Sequence, residues 1–184
     1  MSEVKTEKLS PRVTSLQLGD SGDTFTVPSG ATLDINGTAD FAGATVTGLS
    51  AGKVLQVVQG TYATQTSTTS STPVTSNLAA SITPSSSSNK VLVMATVNSF
   101  YTTSSPAGGY LHIYRDSTQI VDKAGWNYSG SGGITDTIGL NYLDSPSTTS
   151  SVTYTIYFSK QTGGTTNTHD SGNPSYIILM EIEA

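Results

Sequence analysis

The sequence contains no cysteine. A disulfide framework, a thiol nucleophile and a thiolate metal site are all excluded by that absence. Charge is also scarce: Asp, Glu, Lys and Arg make up 11% of the 184 residues, and the net charge is −5. Three basic residues fall early, at Lys5, Lys8 and Arg12, and no basic stripe follows. A nucleic-acid backbone, which needs such a stripe, is therefore not an expected partner. No run of 18 apolar residues occurs, so no membrane insertion is expected. The opening MSEVKTEKLS has no apolar leader-like stretch, which points to synthesis in a cytoplasm without export.

What is present is polar yet patterned. Ser and Thr supply 58 of the 184 residues, and nine Tyr, four Phe and one Trp are interleaved with Val, Ile and Leu. A disordered chain normally combines high net charge with few aromatics, and this chain has neither property. Thr, Val and Tyr suit a pleated, half-buried surface, and Ser, Gly, Pro and Asn suit the turns between strands. The composition predicts an all-β protein.

Three regions follow from the pattern. Residues 1–20 begin polar and turn apolar only at Leu16 and Leu18. They read either as a frayed terminus or as a segment that docks onto a larger partner. Residues 21–50 hold a short repeat. From Thr24 the chain scans as TFTVPSGA, TLDINGTA and DFAGATVT, with apolar residues at the second and fourth places of the first two units. Strands this short cannot bury their own apolar face, and three units are too few for a free-standing solenoid. Below about 40 residues, independent stability needs a staple or association, and no staple exists. Three chains forming a triangular β-prism shaft would bring Phe25, Val27, Leu33, Ile35 and Phe41 onto a shared axis. A pair of hairpins packed on the following domain is the plainer alternative.

Residues 51–184 carry the larger body. Strand signals recur at GKVLQVVQGTYA from Gly52, NLAASITP (77–84), KVLVMATVNSFY (90–101) and GYLHIYRD (109–116). They continue through a short STQIVDK, then ITDTIGLNYLD (134–144), VTYTIYFSK (152–160) and SYIILMEIEA (175–184). In the last, Tyr176, Ile178, Met180 and Ile182 share one face, while Glu181 and Glu183 point the other way. About eight strands, no helix pattern and frequent Gly/Ser/Pro turns predict a two-sheet sandwich of jelly-roll type.

Chemistry is sparse. Of the two histidines, His112 alternates with Tyr110 and Tyr114 on a strand, where a packed histidine is expected. His169 stands beside Asp170 in a loop, a pair that resembles half of a triad. No G-x-S-x-G or H-E-x-x-H motif is present. Nothing in the spacing of the histidines predicts a metal site, and no cofactor motif occurs. The acids available to a glycosidase are Asp116, Asp122, Asp136, Asp144, Asp170 and Glu181, and Asp136, flanked by Ile134 and Ile138, reads as the one that is buried. Such chemistry requires two carboxyls at a set separation, which no motif here supplies, so the chain is not read as an enzyme. GDSGD (19–23) reads as a tight turn more readily than as a calcium loop.

A different constellation lies in three segments that read as loops. GWNYSGSGG (125–133) holds the single Trp126 with Asn127 and Tyr128. SFYTTSSPAGGY (99–110) adds Tyr101, and TGGTTNTHDSGNPSY (162–176) adds Asn167, His169, Asp170 and Asn173. Rings beside amides and hydroxyls suit sugar recognition, since a ring face stacks while the polar groups fix orientation. A roof over one end of the sandwich is the structural alternative for Trp126.

MSEVKTEKLSPRV followed by LGDSGDTFTVPSGATLDINGTA resembles the N-terminal part of tail-fibre and appendage proteins of marine, cyanophage-like bacteriophages. GKVLQVV, SITPSSSSNKVLVMATV, LHIYRDST, the YLDSPSTTSSVTYTIYF run and the terminal ILMEIEA are similar to the distal knob of the same group. The resemblance implies a virion protein and a homotrimer. Residues 1–20 would attach to another virion protein, 21–50 would form an intertwined shaft, and 51–184 would form a β-sandwich knob for host contact. It implies a host surface glycan or outer-membrane protein as partner, and no catalytic residues. The chain's shortness for a tail fibre also admits a head fibre or capsid decoration protein of the same build.

Overall fold

The computed structural model describes residues 53–104, 106–169 and 173–184. The attachment segment, the repeat with Phe25, Val27, Leu33, Ile35 and Phe41, and Asp170 all lie outside the described residues. Those that are described form ten strands and no helix: β1 (Val54–Tyr62), β2 (Thr66–Thr68), β3 (Val74–Ile82), β4 (Lys90–Thr102), β5 (Ala107–Arg115), β6 (Thr118–Ser129), β7 (Ile134–Asp144), β8 (Val152–Thr162), β9 (Thr166–Thr168) and β10 (Ser175–Ile182).

The strands pair antiparallel into two sheets. In sheet A, β1, β10, β4 and β7 run in that order, and the short β9 and β2 continue beside the far end of β4. Sheet B has the order β3, β8, β5, β6. With β2 and β9 set aside, successive strands alternate between the sheets except for β5 and β6, which pair within sheet B, and this is the double Greek-key order of a jelly roll. The expected sandwich is therefore the observed one. Short strands β2 and β9 arise inside segments that read as loops.

The core is what period-two alternation predicts. Val91, Val93, Ala95 and Val97 of β4 and Ile177 and Leu179 of β10 meet Leu111, Ile113, Tyr154, Ile156 and Phe158 of sheet B. β10 reverses the simple expectation. Its inward face carries Ser175, Ile177, Leu179 and Glu181, so Tyr176, Ile178, Met180 and Ile182 face out.

This choice gives sheet A an aliphatic outer face. Val57, Met180, Leu92 and Leu143 stand abreast across β1, β10, β4 and β7. The next row is Gln59, Ile178, Met94 and Asn141, and the one after it Thr61, Tyr176, Thr96 and Gly139. None of these residues is charged. Gly139 opens a shallow depression of about 280 Å³ in this face, bordered by Met94, Asn141, Tyr176 and Ile178.

Two acids close the core beside Val91, with Glu181 opposite it on one side and Asp144 on the other. Glu181 is 1% exposed. It accepts hydrogen bonds from Gln56 Nε2 (2.6 Å), Asn89 Nδ2 (2.6 Å) and both the backbone N–H and hydroxyl of Ser85 (2.7 Å each). Asp144 accepts from Arg115 Nη1 and the Tyr154 hydroxyl, both at 2.7 Å, and so ties the two sheets. Among the described residues the buried acids are thus Asp144 and Glu181. Asp136, expected to be buried, is only half-buried: it alternates with the outward Thr135 and Thr137, but β7 is an edge strand that pairs with β4 alone among the described strands.

Candidate functional site: the aromatic face of sheet B

The segment GWNYS is strand, not loop, and its glycine explains why it reads otherwise. Gly125 points inward, where a Cβ would lie 2.7 Å from Ile138 Cγ2 and 2.9 Å from Leu140 Cδ2. Asn127 also points inward and is buried. Its Nδ2 donates to the Phe100 carbonyl (2.9 Å), and its Oδ1 accepts from the Gly109 N–H (3.2 Å). Asn127 is therefore a clamp between β6, β5 and β4 rather than a surface contact. The same alternation turns Trp126 and Tyr128 outward, 62% and 45% exposed.

These rings begin a track across the outer face of sheet B. Trp126 lies opposite Tyr110 on β5. The Lys123 ammonium stands 5.0 Å over the Tyr110 ring, and the His112 ring meets Tyr110 edge-on at 6.5 Å. Farther along, Tyr114 and Tyr157 stack at 3.9 Å, and the Tyr114 hydroxyl donates to Gln119 Oε1 (2.8 Å).

His112 anchors the middle of the track. Opposite it, β6 bulges, and Lys123 adopts a φ of +51°. That bulge brings Asp122 Oδ1 to 2.9 Å from Nδ1, while Ser159 Oγ lies 2.9 Å from Nε2. A carboxylate at that distance requires a proton on Nδ1, so Nε2 accepts from the Ser159 hydroxyl. The Lys123 N–H, 3.2 Å from Nδ1, is the weaker neighbour. Burial pushes the His112 pKa below its ordinary 6.5, against the opposing pull of Asp122, so the ring is neutral at pH 7.

The order Asp–His–Ser is that of a nucleophilic triad, but the surroundings suit a structural post. Ser159 is 2% exposed, which leaves a substrate carbonyl no approach to Oγ. The next backbone N–H, that of Lys160, donates to the Ser70 carbonyl at 2.7 Å and is not free to hold an oxyanion. Sequence reasoning placed the only triad-like pair at His169–Asp170. Asp122 and Ser159 were missed because a β-bulge and a strand pairing bring them to His112. The irregular STQIVDK run beside an alternating histidine was the available signal.

The remaining expected site residues lie elsewhere. Tyr101 and Asn167 come together at the β9 end of sheet A around Gln65, whose Nε2 donates to the Tyr101 hydroxyl (2.8 Å) and to Asn167 Oδ1 (3.2 Å). Asn167 is buried and also accepts from Ser67 Oγ at 2.7 Å. His169 is fully buried: its Nε2 donates to the Ser76 carbonyl (3.1 Å), its Nδ1 accepts from the Ser175 hydroxyl (2.7 Å), and Tyr62 packs edge-on at 5.3 Å. Burial lowers its pKa as well. Asn127, Asn167 and His169 are thus not surface groups, whereas Trp126, Tyr128 and Asn173 are. Asn173 Nδ2 donates to Ser99 Oγ at 3.3 Å.

Glu181 is not poised as a general acid. Burial alone would raise the Glu181 pKa, but the donors Asn89, Gln56 and Ser85 outweigh it and hold the group at about 2, the opposite of what a general acid needs. Among the described residues, no group of three or more His, Asp or Glu converges to hold a metal ion.

No protein-family model matches the chain, and no curated protein matches it. Among solved structures, it overlaps the VP2 subviral particle of infectious bursal disease virus at 16% identity with a TM-score of 0.38, over 69% of this chain and 39% of that one. The Gx strain of infectious bursal disease virus gives 16% identity and a TM-score of 0.36, over 70% and 40%. These are partial overlaps with longer proteins, and they transfer no function.

Proposed function

We propose that this chain is a structural protein of a bacteriophage virion, a homotrimeric fibre whose sandwich carries the host contact on the aromatic face of sheet B. The sequence resemblance to phage appendage proteins supports the fibre and trimer, and assigns residues 1–20 to attachment on another virion protein. The observation that carries the host contact is the exposed pair Trp126 and Tyr128, projected side by side from a strand that Asn127 clamps from behind. A strand clamped in this way presents the two rings in a fixed register, and a sugar ring can stack on them while hydroxyls meet polar neighbours such as Lys123 and Asp122. The ligand that fits this face is a host surface glycan.

Binding of purified full-length protein to host cells, with host polysaccharide as competitor, tests the reading. Replacement of Trp126 and Tyr128 by Ala should abolish capture. Undiminished capture would remove this face from the site. Failure of the wild-type protein to bind at all would leave the second reading, a head-fibre or capsid decoration protein.

A further inference from the structure

We infer that the aliphatic outer face of sheet A is where copies of this chain meet. The inference rests on the homotrimer reading and gives it a location. Val57 and Leu143, at the two ends of the first row, are 59% and 48% exposed, and Met94 and Tyr176 in the rows beside it each show more than a third of their surface. Together these side chains expose several hundred Å². That is comparable to the largest patch of a typical monomer, about 300–600 Å², and is part of the roughly 800 Å² that one partner contributes to a standard interface.

Charge selects the occupant. Each copy carries a net charge of −5, so contact between copies is least opposed where the facing surfaces hold no acids. The three rows from Val57, Gln59 and Thr61 across to β7 hold no charged side chain. Charges stand at one margin, where Lys90 and the Lys53–Glu183 pair (3.5 Å) lie.

Light scattering on the full-length protein over a dilution series, comparing wild type with Val57→Asp and Leu143→Lys, is the direct test. The wild type should be trimeric, and each variant should dissociate at about 100-fold higher concentration or be monomeric throughout, with unchanged far-ultraviolet circular dichroism. A variant that keeps both mass and dissociation behaviour overturns the assigned face while leaving the trimer standing. A monomeric wild type overturns both. Because the chain lacks cysteine, Met94→Cys supplies an independent readout should the charged variants misfold. It should cross-link between copies with a short bis-maleimide, whereas Trp126→Cys should not. Absence of the Met94→Cys cross-link also overturns the inference, and protection of that thiol in a monomer would assign the covering to the chain itself.

Discussion

The two outer faces of the sandwich are built on the same alternation but differ in chemistry. Sheet A turns out Val, Leu, Ile and Met with no charge among them, whereas sheet B turns out Trp and Tyr interleaved with His112, Asp122 and Lys123. The row Val57, Met180, Leu92 and Leu143 carries no hydrogen-bonding side chains, so the surface that fits it is another dry one. Aromatic rings with polar neighbours fit a ligand that is itself part apolar and part polar. The groups behind the faces differ as well. An ionised carboxylate, Glu181, lies inside sheet A, and a neutral imidazole, His112, lies within the outer layer of sheet B.

The largest expected effect concerns the group behind sheet A. Glu181 has its pKa held at about 2 against an ordinary 4.5, a difference worth on the order of 3 kcal/mol at neutral pH. Glu181→Gln removes the charge and sets an amide N–H₂ against the donors Asn89 and Ser85. A loss of about 2–3 kcal/mol is expected in urea unfolding. Because Glu181 ties β1 and the turn before β4 to β10, association through sheet A should weaken with it, while glycan binding per chain should not. Equal losses on both faces would show that they are not separable.

On sheet B, Trp126→Ala is expected to cost about 2 kcal/mol in affinity for the host glycan, roughly 30-fold, as a central ring anchor does. Titration of immobilised glycan checks the affinity, and light scattering should find the oligomer mass unaltered. A change in mass would place Trp126 in the interface between copies and undo the division of labour.

Much of the sandwich was legible in the sequence, and what was missed has identifiable causes. Alternation in KVLVMATV and VTYTIYF locates the core strands directly, because one of their faces is fully buried. SYIILMEIEA is apolar on one face and mixed on the other, and pattern alone assigns the apolar face inward. Its true orientation depends on Gln56, Ser85 and Asn89, which lie about 90 to 125 residues away and together satisfy one buried carboxylate. GWNYS reads as a loop because glycine weakens strand propensity, yet Gly125 is there to admit Ile138 and Leu140. Trp126 and Tyr128 are exposed, whereas Asn127, Asn167 and His169 come from segments with composition typical of loops and are buried.

Acid should separate the faces in two steps. His112 and His169 are held below their ordinary 6.5 by burial. The unfolded chain therefore takes up protons first, and stability that is full above pH 6.5 declines as pH falls below it. Glu181 contributes fully above 4.5, and its contribution is lost between 4.5 and about 2. The single Trp lies on the same outer face as His112, so its fluorescence should change in mildly acidic solution while the oligomer mass persists until the second step. His112→Gln, which does not titrate in this range, should reduce the first step and leave the second intact. A single step, or loss of mass before the change in fluorescence, would contradict the assignment of these groups.

The smallest effect tests how far the contact on sheet A extends. A Cβ on Gly139 would meet no atom within 4 Å, and its φ is not in the left-handed region. Gly139→Ala should therefore stabilise the fold by about 0.4–1 kcal/mol by restricting the unfolded chain. The added methyl also enters the depression between Met94 and Tyr176. If a neighbouring copy seats a side chain there, the variant will be harder to unfold and yet dissociate more readily, a divergence that a purely stabilising substitution does not produce. If unfolding and dissociation both become harder, the contact ends at the row of Val57, Met180, Leu92 and Leu143, and the depression is open to solvent in the assembled protein.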